Sequence, residues 1–219
     1  GQIAALEVAD VAELTTTQVS KLTTGQISQL SEEQVRALTT SQVSAMKTEQ
    51  VAAMTSSQLN AMEAADLQAL TDKQIKSLTT GQVQDLSAEQ VALMLTSQVA
   101  VLSDDQAAEL SAGAIAALTT AQISELSTKA IAALSTGQIA ALEVADVAEL
   151  TTTQFKRMTT GQIAQFSQEQ VRALTTSQVS AMTTAQVAAL TSSQLNAMEA
   201  ADLQALTANQ IKSLTTGQV

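Results

Sequence analysis

Few side chains in this protein could do chemistry, and they are of few kinds. The chain has no histidine and no cysteine. Their absence removes Ser-His and Cys-His nucleophile pairs, thiolate metal ligands and zinc sites of the ordinary type. Carboxylates, cations and hydroxyls remain. Adjacent acids at Glu32-Glu33 and Asp104-Asp105 are candidates for acid/base work or for calcium. Lys156-Arg157 is the one adjacent pair of cations. A Ser-Lys pair is open to the sequence, and rows of threonine hydroxyls are also what an ice-binding surface would use. Gly25, Gly81, Gly113, Gly137, Gly161 and Gly217 stand singly, so no glycine-rich phosphate loop is formed.

Each of these groups also has a place in a regular pattern. Leu22-Thr23-Thr24-Gly25-Gln26-Ile27-Ser28-Gln29 is followed by Leu30-Ser31-Glu32-Glu33-Gln34-Val35-Arg36-Ala37, and then by Leu38-Thr39-Thr40-Ser41-Gln42-Val43-Ser44-Ala45. The octad runs from Gly1 to Val219 without insertion or deletion. One apolar series steps through Leu6, Leu14, Leu22, Leu30, Leu38 and Met46 to Leu214. The other runs three residues ahead of it, from Ile3, Val11 and Val19 to Ile211, with Ala107 its weakest member. A longer period lies above the octad. Residues 1–83 recur as 137–219, with twelve of the 83 positions changed, which reads as duplication of the 17-octad block 1–136.

An eight-residue period rules out one long helix. At about 100° per residue, eight residues overshoot two turns by roughly 80°, so the apolar pair would spiral away from any single partner. A plain strand would put the two series on opposite faces. A β-solenoid would need a turn inside every octad, and no regular Gly or Asn supplies it. A very short helix in each octad fits. Thr23 and Gln26 have the spacing of a capping box, and Leu22 and Ile27 that of a hydrophobic staple. Glu32, Glu33, Glu49, Glu89, Asp104, Asp105 and Glu169 then fall at the first two helical positions, where negative charge is favoured. Adjacent residues there point in different directions, which argues against converging carboxylate pairs. The Met residues belong to the Leu series and so to the core.

The expected fold is therefore all-α: one solenoid over residues 1–219, built of capped helices of about one turn and cut from a longer array. Helices this short are unstable alone and must bury Val/Ile and Leu against neighbouring octads. Glu7, Glu63, Glu143 and Glu199 replace the cap Thr, with Asp10, Asp66, Asp146 and Asp202 in place of Gln. Glu is a poor cap, so these junctions are read as places where helix could run on. Leu95 holds a cap position, and Ala114 and Ala130 replace Gln. Residues 93–131 are accordingly the expected place for a bend or a contact. The single glycines are read as marks of a tight approach between layers.

Net charge of −11 and a pI near 4.3 oppose binding to nucleic acid and to anionic membranes. No apolar run approaches the length of a membrane span. The pattern Leu-Thr-Thr-x-Gln-Val/Ile-x-x, as in residues 38–45 and 174–181, resembles octapeptide-repeat regions of large bacterial secreted or surface proteins, often labelled haem-utilisation or adhesion proteins. The resemblance spans the whole chain and implies an extracellular or cell-surface location. It transfers no catalytic or haem-ligating residue, and without His a haem would have only Met to ligate it. The expectation is a non-enzymatic stalk, filament or matrix segment with no catalytic, cofactor-binding or metal-ligating residues, able to self-associate end to end or laterally or to meet a surface partner. The alternatives are a binding module for a peptide or glycan and, more remotely, an ice-binding threonine array.

Overall fold

The computed structural model of the chain describes residues 5–218. Gly1, Ile3 and Val219, counted in the periodic pattern above, lie outside the described residues. Among the described residues there are 26 α-helices, from α1 (Val8–Glu13) to α26 (Ala208–Lys212), and no strand. They are as short as four residues in α3 (Thr24–Ile27) and no longer than the six of α2 (Thr16–Lys21).

The cap residues start each helix as the spacing predicts. Thr23 is extended, and its hydroxyl accepts from the Gln26 N–H at 3.2 Å. The Gln26 side-chain oxygen accepts from the Thr23 N–H at 2.8 Å. The same reciprocal pair joins Thr159 to Gln162 and Thr175 to Gln178. The helix ends at the next Leu. Leu22 has ψ 142° and the following Thr23 ψ 159°, so two extended residues turn the chain before the next helix begins.

The Glu-capped junctions do not run on as helix. Glu63 keeps φ −70°, ψ 156° with no side-chain cap bond, and Glu7, Glu143 and Glu199 do likewise. The break therefore belongs to the buried Leu or Met before the cap. Continued helix would swing the next apolar pair roughly 80° out of its layer, and burial of that pair outweighs a missing cap. The glycine expectation is corrected as well. A Cβ on Gly25, Gly81 or Gly217 would meet nothing within 4 Å, and on Gly113, Gly137 or Gly161 only its own cap hydroxyl at 3.9 Å.

The helices wind into a solenoid in which each packs on the one three places along: α2 on α5 (Thr40–Ala45), α5 on α8 (Ala64–Ala69), and so on to α23 (Thr184–Ala189) on α26. From Val11 to Leu195 the inward series is buried, with Val43, Ile75, Ile123 and Ile163 wholly so, and the Leu/Met series lines it; at the last turn Leu203 and Ile211 are exposed. Two aromatics join this core. Phe155 and Phe166 stack with ring centroids 5.9 Å apart. Both replace smaller residues of the first block, Val19 and Leu30, so the two changes form one local repacking.

Candidate functional site

The most organised polar feature is a ladder of glutamines inside the solenoid. Gln42 sits at the third position of α5 and is 2 % exposed. Its oxygen accepts from the cap N–H of Thr39 at 2.7 Å. Its amide donates backwards by one superhelical turn, to the carbonyls of Val11 at 2.9 Å and Leu14 at 2.6 Å. Those carbonyls end α1, where helix geometry leaves acceptors short of intrahelical donors; Val11 takes the Leu14 N–H at 3.3 Å in a tighter last turn, and Gln42 adds a second donor. One side chain thus caps the start of its own helix and the end of a helix in the turn before.

The arrangement recurs with fixed spacing. Gln74 reaches Val43 and Met46, Gln106 reaches Ile75 and Leu78, Gln162 reaches Ile131 and Leu134, and Gln194 reaches Ile163 and Phe166. The partners lie 31 and 28 residues back in each case. A 28-residue step is three and a half octads, which places the superhelical turn between three and four helices.

The capping box foretold one half of this. The other half, the amide donation between turns, had a signal in the sequence. A capping box accepts Glu as readily as Gln, yet in an acid-rich chain no octad carries Glu at this position. A glutamate could satisfy the cap N–H but could not donate to carbonyls beneath it.

Where the ladder varies, its parts separate. Lys47 and Leu95 hold cap positions without an accepting side chain, and their N–H groups still donate to Gln50 at 2.7 Å and Gln98 at 2.9 Å. Ser111 and Ser127 keep the hydroxyl half of the box, accepting from Ala114 N–H at 3.1 Å and Ala130 N–H at 3.0 Å, where no amide is present. At Gln90 the cap N–H of Ser87 is taken by the Asn60 side chain at 2.9 Å, which leaves the buried Gln90 side-chain oxygen without a partner.

The sequence-derived candidates for chemistry lie elsewhere, on the outside. Glu32-Glu33 opens α4 (Glu32–Arg36) and Asp104-Asp105 opens α13 (Asp104–Glu109), all four exposed in the first helical turn. Glu33 is held below the usual carboxylate range by its own backbone N–H and by the Ser31 hydroxyl, with Arg36 adding to the effect. Among the described residues no three acids are grouped to hold a metal ion. The Met residues at 46, 54, 62, 94, 158, 182 and 198 are buried in the core. Shallow grooves mark the surface of the described residues. A groove of about 360 Å³ runs beside Val144, Glu169, Arg172 and Ala173. Another, of about 520 Å³, gathers Lys156 and Arg157 with Thr128, Thr153 and Thr183 and has no carboxylate in its lining. No described helix is long and apolar enough to cross a membrane.

Comparison with known families agrees with this picture of one unit repeated. The model of the ALTTAQ repeat matches residues 3–40, 33–64, 59–96, 112–144, 139–176 and 169–198. The chain belongs to the ALTTAQ repeat family. The matches overlap by less than one superhelical turn and leave out residues 97–111 and 199–219. No curated protein matches this ALTTAQ repeat chain.

Proposed function

We propose that this ALTTAQ repeat chain is a non-enzymatic structural segment, one solenoid over residues 1–219 serving as a stalk, filament or matrix rod in a secreted or cell-surface bacterial adhesin-like protein. The observation that carries the reading is the glutamine ladder. The polar residue most regularly placed in the chain is spent on joining one turn to the next, which leaves no comparable set of side chains for a substrate. Quasi-one-dimensional arrays of this kind supply reach, and their length changes by duplication of whole units. The second copy of the 17-octad block is such an event in the sequence. Recognition surfaces are enriched in exposed aromatic and Arg anchors. Here both Phe residues are buried in the core, which favours a spacer over a binding module.

Small-angle scattering tests the proposal. A rod gives a radius of gyration well above the ~17 Å of a compact domain of this length. Insertion of a further 136-residue block should lengthen the particle while its cross-section stays constant. A value near that of a compact domain, or a cross-section that grows with the insertion, would overturn it.

A further inference from the structure

Three of the four aspartates in the slot that the ladder mostly gives to glutamine are buried; the fourth, Asp10, is exposed. Asp66 in α8, Asp146 in α18 (Val144–Glu149) and Asp202 in α25 (Ala200–Ala205) are 5 %, 2 % and 3 % exposed. By the register of the neighbouring glutamines, Asp66 stands over the carbonyls of Val35 and Leu38, Asp146 over those of Ile115 and Leu118, and Asp202 over those of Val171 and Leu174. The bonds on either side of Asp66 show what the slot requires. Gln58 donates to Ile27 and Leu30 at 2.9 and 2.7 Å, and Gln74 to Val43 and Met46 at 2.9 and 2.8 Å. An ionised aspartate has only acceptors. One oxygen can take over the glutamine's contact with the cap, as Asp146 does in accepting from the Glu143 N–H at 3.3 Å. By that register the carboxylate stands where the amide would be, and it offers the carbonyls of the preceding turn no donor.

We propose that Asp66, Asp146 and Asp202 are acid-closed latches: when each carboxyl takes a proton, its single O–H donates to one carbonyl of the preceding turn and supplies part of the link that glutamine makes elsewhere. The surroundings favour this. A glutamate precedes each aspartate at the cap, Glu63, Glu143 and Glu199, and adds negative charge beside it. Around Asp66, α5 carries no charged residue, α11 (Ala88–Leu93) carries Glu89, and α4 in the turn before carries Glu32, Glu33 and Arg36, the last paired with Glu32 at 3.6 Å. Around Asp146, α15 (Thr120–Glu125) carries Glu125, α21 (Gln168–Arg172) carries Glu169 and Arg172, and α14 (Ala112–Ala116) carries no charge; Glu149 lies on its own helix. Around Asp202, α22 (Thr176–Ala181) is uncharged, and α21 in the turn before brings Glu169 and Arg172. Burial raises all three carboxyls above the ordinary aspartate range, and the adjacent Glu raises them further; at Asp146 the Glu143 N–H works against this.

A raised carboxyl in the folded chain means that the folded state holds more protons than the unfolded one, between the ordinary aspartate range and the raised value. Stability then falls as pH rises through that window and is regained on acidification. This runs opposite to the usual paired carboxylate.

The experiment follows thermal unfolding of the full chain from pH 7 down to pH 4.5, beside the variant D66N/D146N/D202N. General relief of charge repulsion raises both midpoints, so the readout is the gap between them. The Asn variant should be the more stable by several degrees at pH 7, and the gap should close on acidification. A gap that does not change with pH, or a variant that is less stable at pH 7, overturns the proposal. The single substitution Gln162→Glu supplies an independent arm by placing a carboxyl in the same slot. Its midpoint should fall below that of the parent at pH 7 and recover at pH 4.5, and a pH-independent loss would count equally against the latch.

Discussion

Two stretches of the solenoid join their turns by different means. In α19 (Thr152–Arg157) through α23, every helix has its glutamine, and Gln154, Gln162, Gln170, Gln178 and Gln186 all donate to carbonyls in the turn before. In α13 through α16 (Thr128–Ala133), two of four are missing. Ala114 and Ala130 stand where the amide should be, and Ala107 replaces an inward Val or Ile. There α16 lies on α13 with the most extensive backbone contact of any helix pair. The small side chains account for it, since with no amide to seat and no branched side chain between them the two backbones can approach. Both stretches keep the same helix breaks and the same buried Leu series. Glutamine is therefore a means of coupling turns and not a condition for forming them, and close packing can take its place where the core is thinned to match.

The largest test removes the amide from the stretch that depends on it. Gln162→Ala deletes the acceptor for the Thr159 N–H at 2.7 Å and the donor to Ile131 and Leu134 at 2.8 and 2.7 Å. Buried groups are left without partners and a cavity opens, so the cost should be about 2–5 kcal/mol in denaturant unfolding. A loss below ~1 kcal/mol would show that the regular stretch can close up as α13 and α16 do, and the two regions would no longer be distinct.

The converse substitution should also destabilise, although it restores the repeat consensus. Ala130→Gln introduces an amide at a fully buried position of α16, over the carbonyls of Val99 and Leu102 by the ladder's register and beside its contact with α13. Overpacking of this kind costs about 1–3 kcal/mol, and the same unfolding assay reads it. A stabilised variant would mean that the close approach of α13 and α16 is slack and that Ala130 is merely a lost glutamine.

The helices are legible in the sequence, whereas of the solenoid's interior wiring only the choice of Gln over Glu is, and not the partners it reaches, for a physical reason. Leu22, Thr23, Gln26 and Ile27 interact within six residues, so their spacing alone identifies cap and staple. The same locality makes residues 93–131 visible as irregular, because Leu95, Ala114 and Ala130 each break a local rule. Gln42 bonds Val11 and Leu14, 31 and 28 residues away, and no local pattern reports the number of helices per turn. A local signal misleads where the layers decide the outcome. Glu63 is a poor cap, yet its junction stays broken because Met62 and Leu67 must share the core. The exposed candidates, Glu32-Glu33 and Asp104-Asp105, are easy to find because helix N-termini attract acid, and their positions carry that explanation with them.

The smallest effect separates the local part of the motif from the layered part. Leu95 caps α12 (Thr96–Ala100) with no accepting side chain and is 43 % exposed, while its N–H already donates to Gln98 at 2.9 Å. Leu95→Thr adds the missing hydroxyl opposite the Gln98 N–H, in the backbone conformation that every Thr cap here adopts. It also removes an exposed apolar side chain. The substitution should stabilise by about 0.5–2 kcal/mol, in the same irregular region where Ala130→Gln destabilises. If both consensus changes act as expected and with opposite signs, the cap is transferable to any octad, whereas the amide belongs only where the layer beneath has been built to receive it. If Leu95→Thr has no effect, the cap hydroxyl contributes nothing once the glutamine half of the box is in place, and the Thr rows of the regular stretch lose their structural explanation.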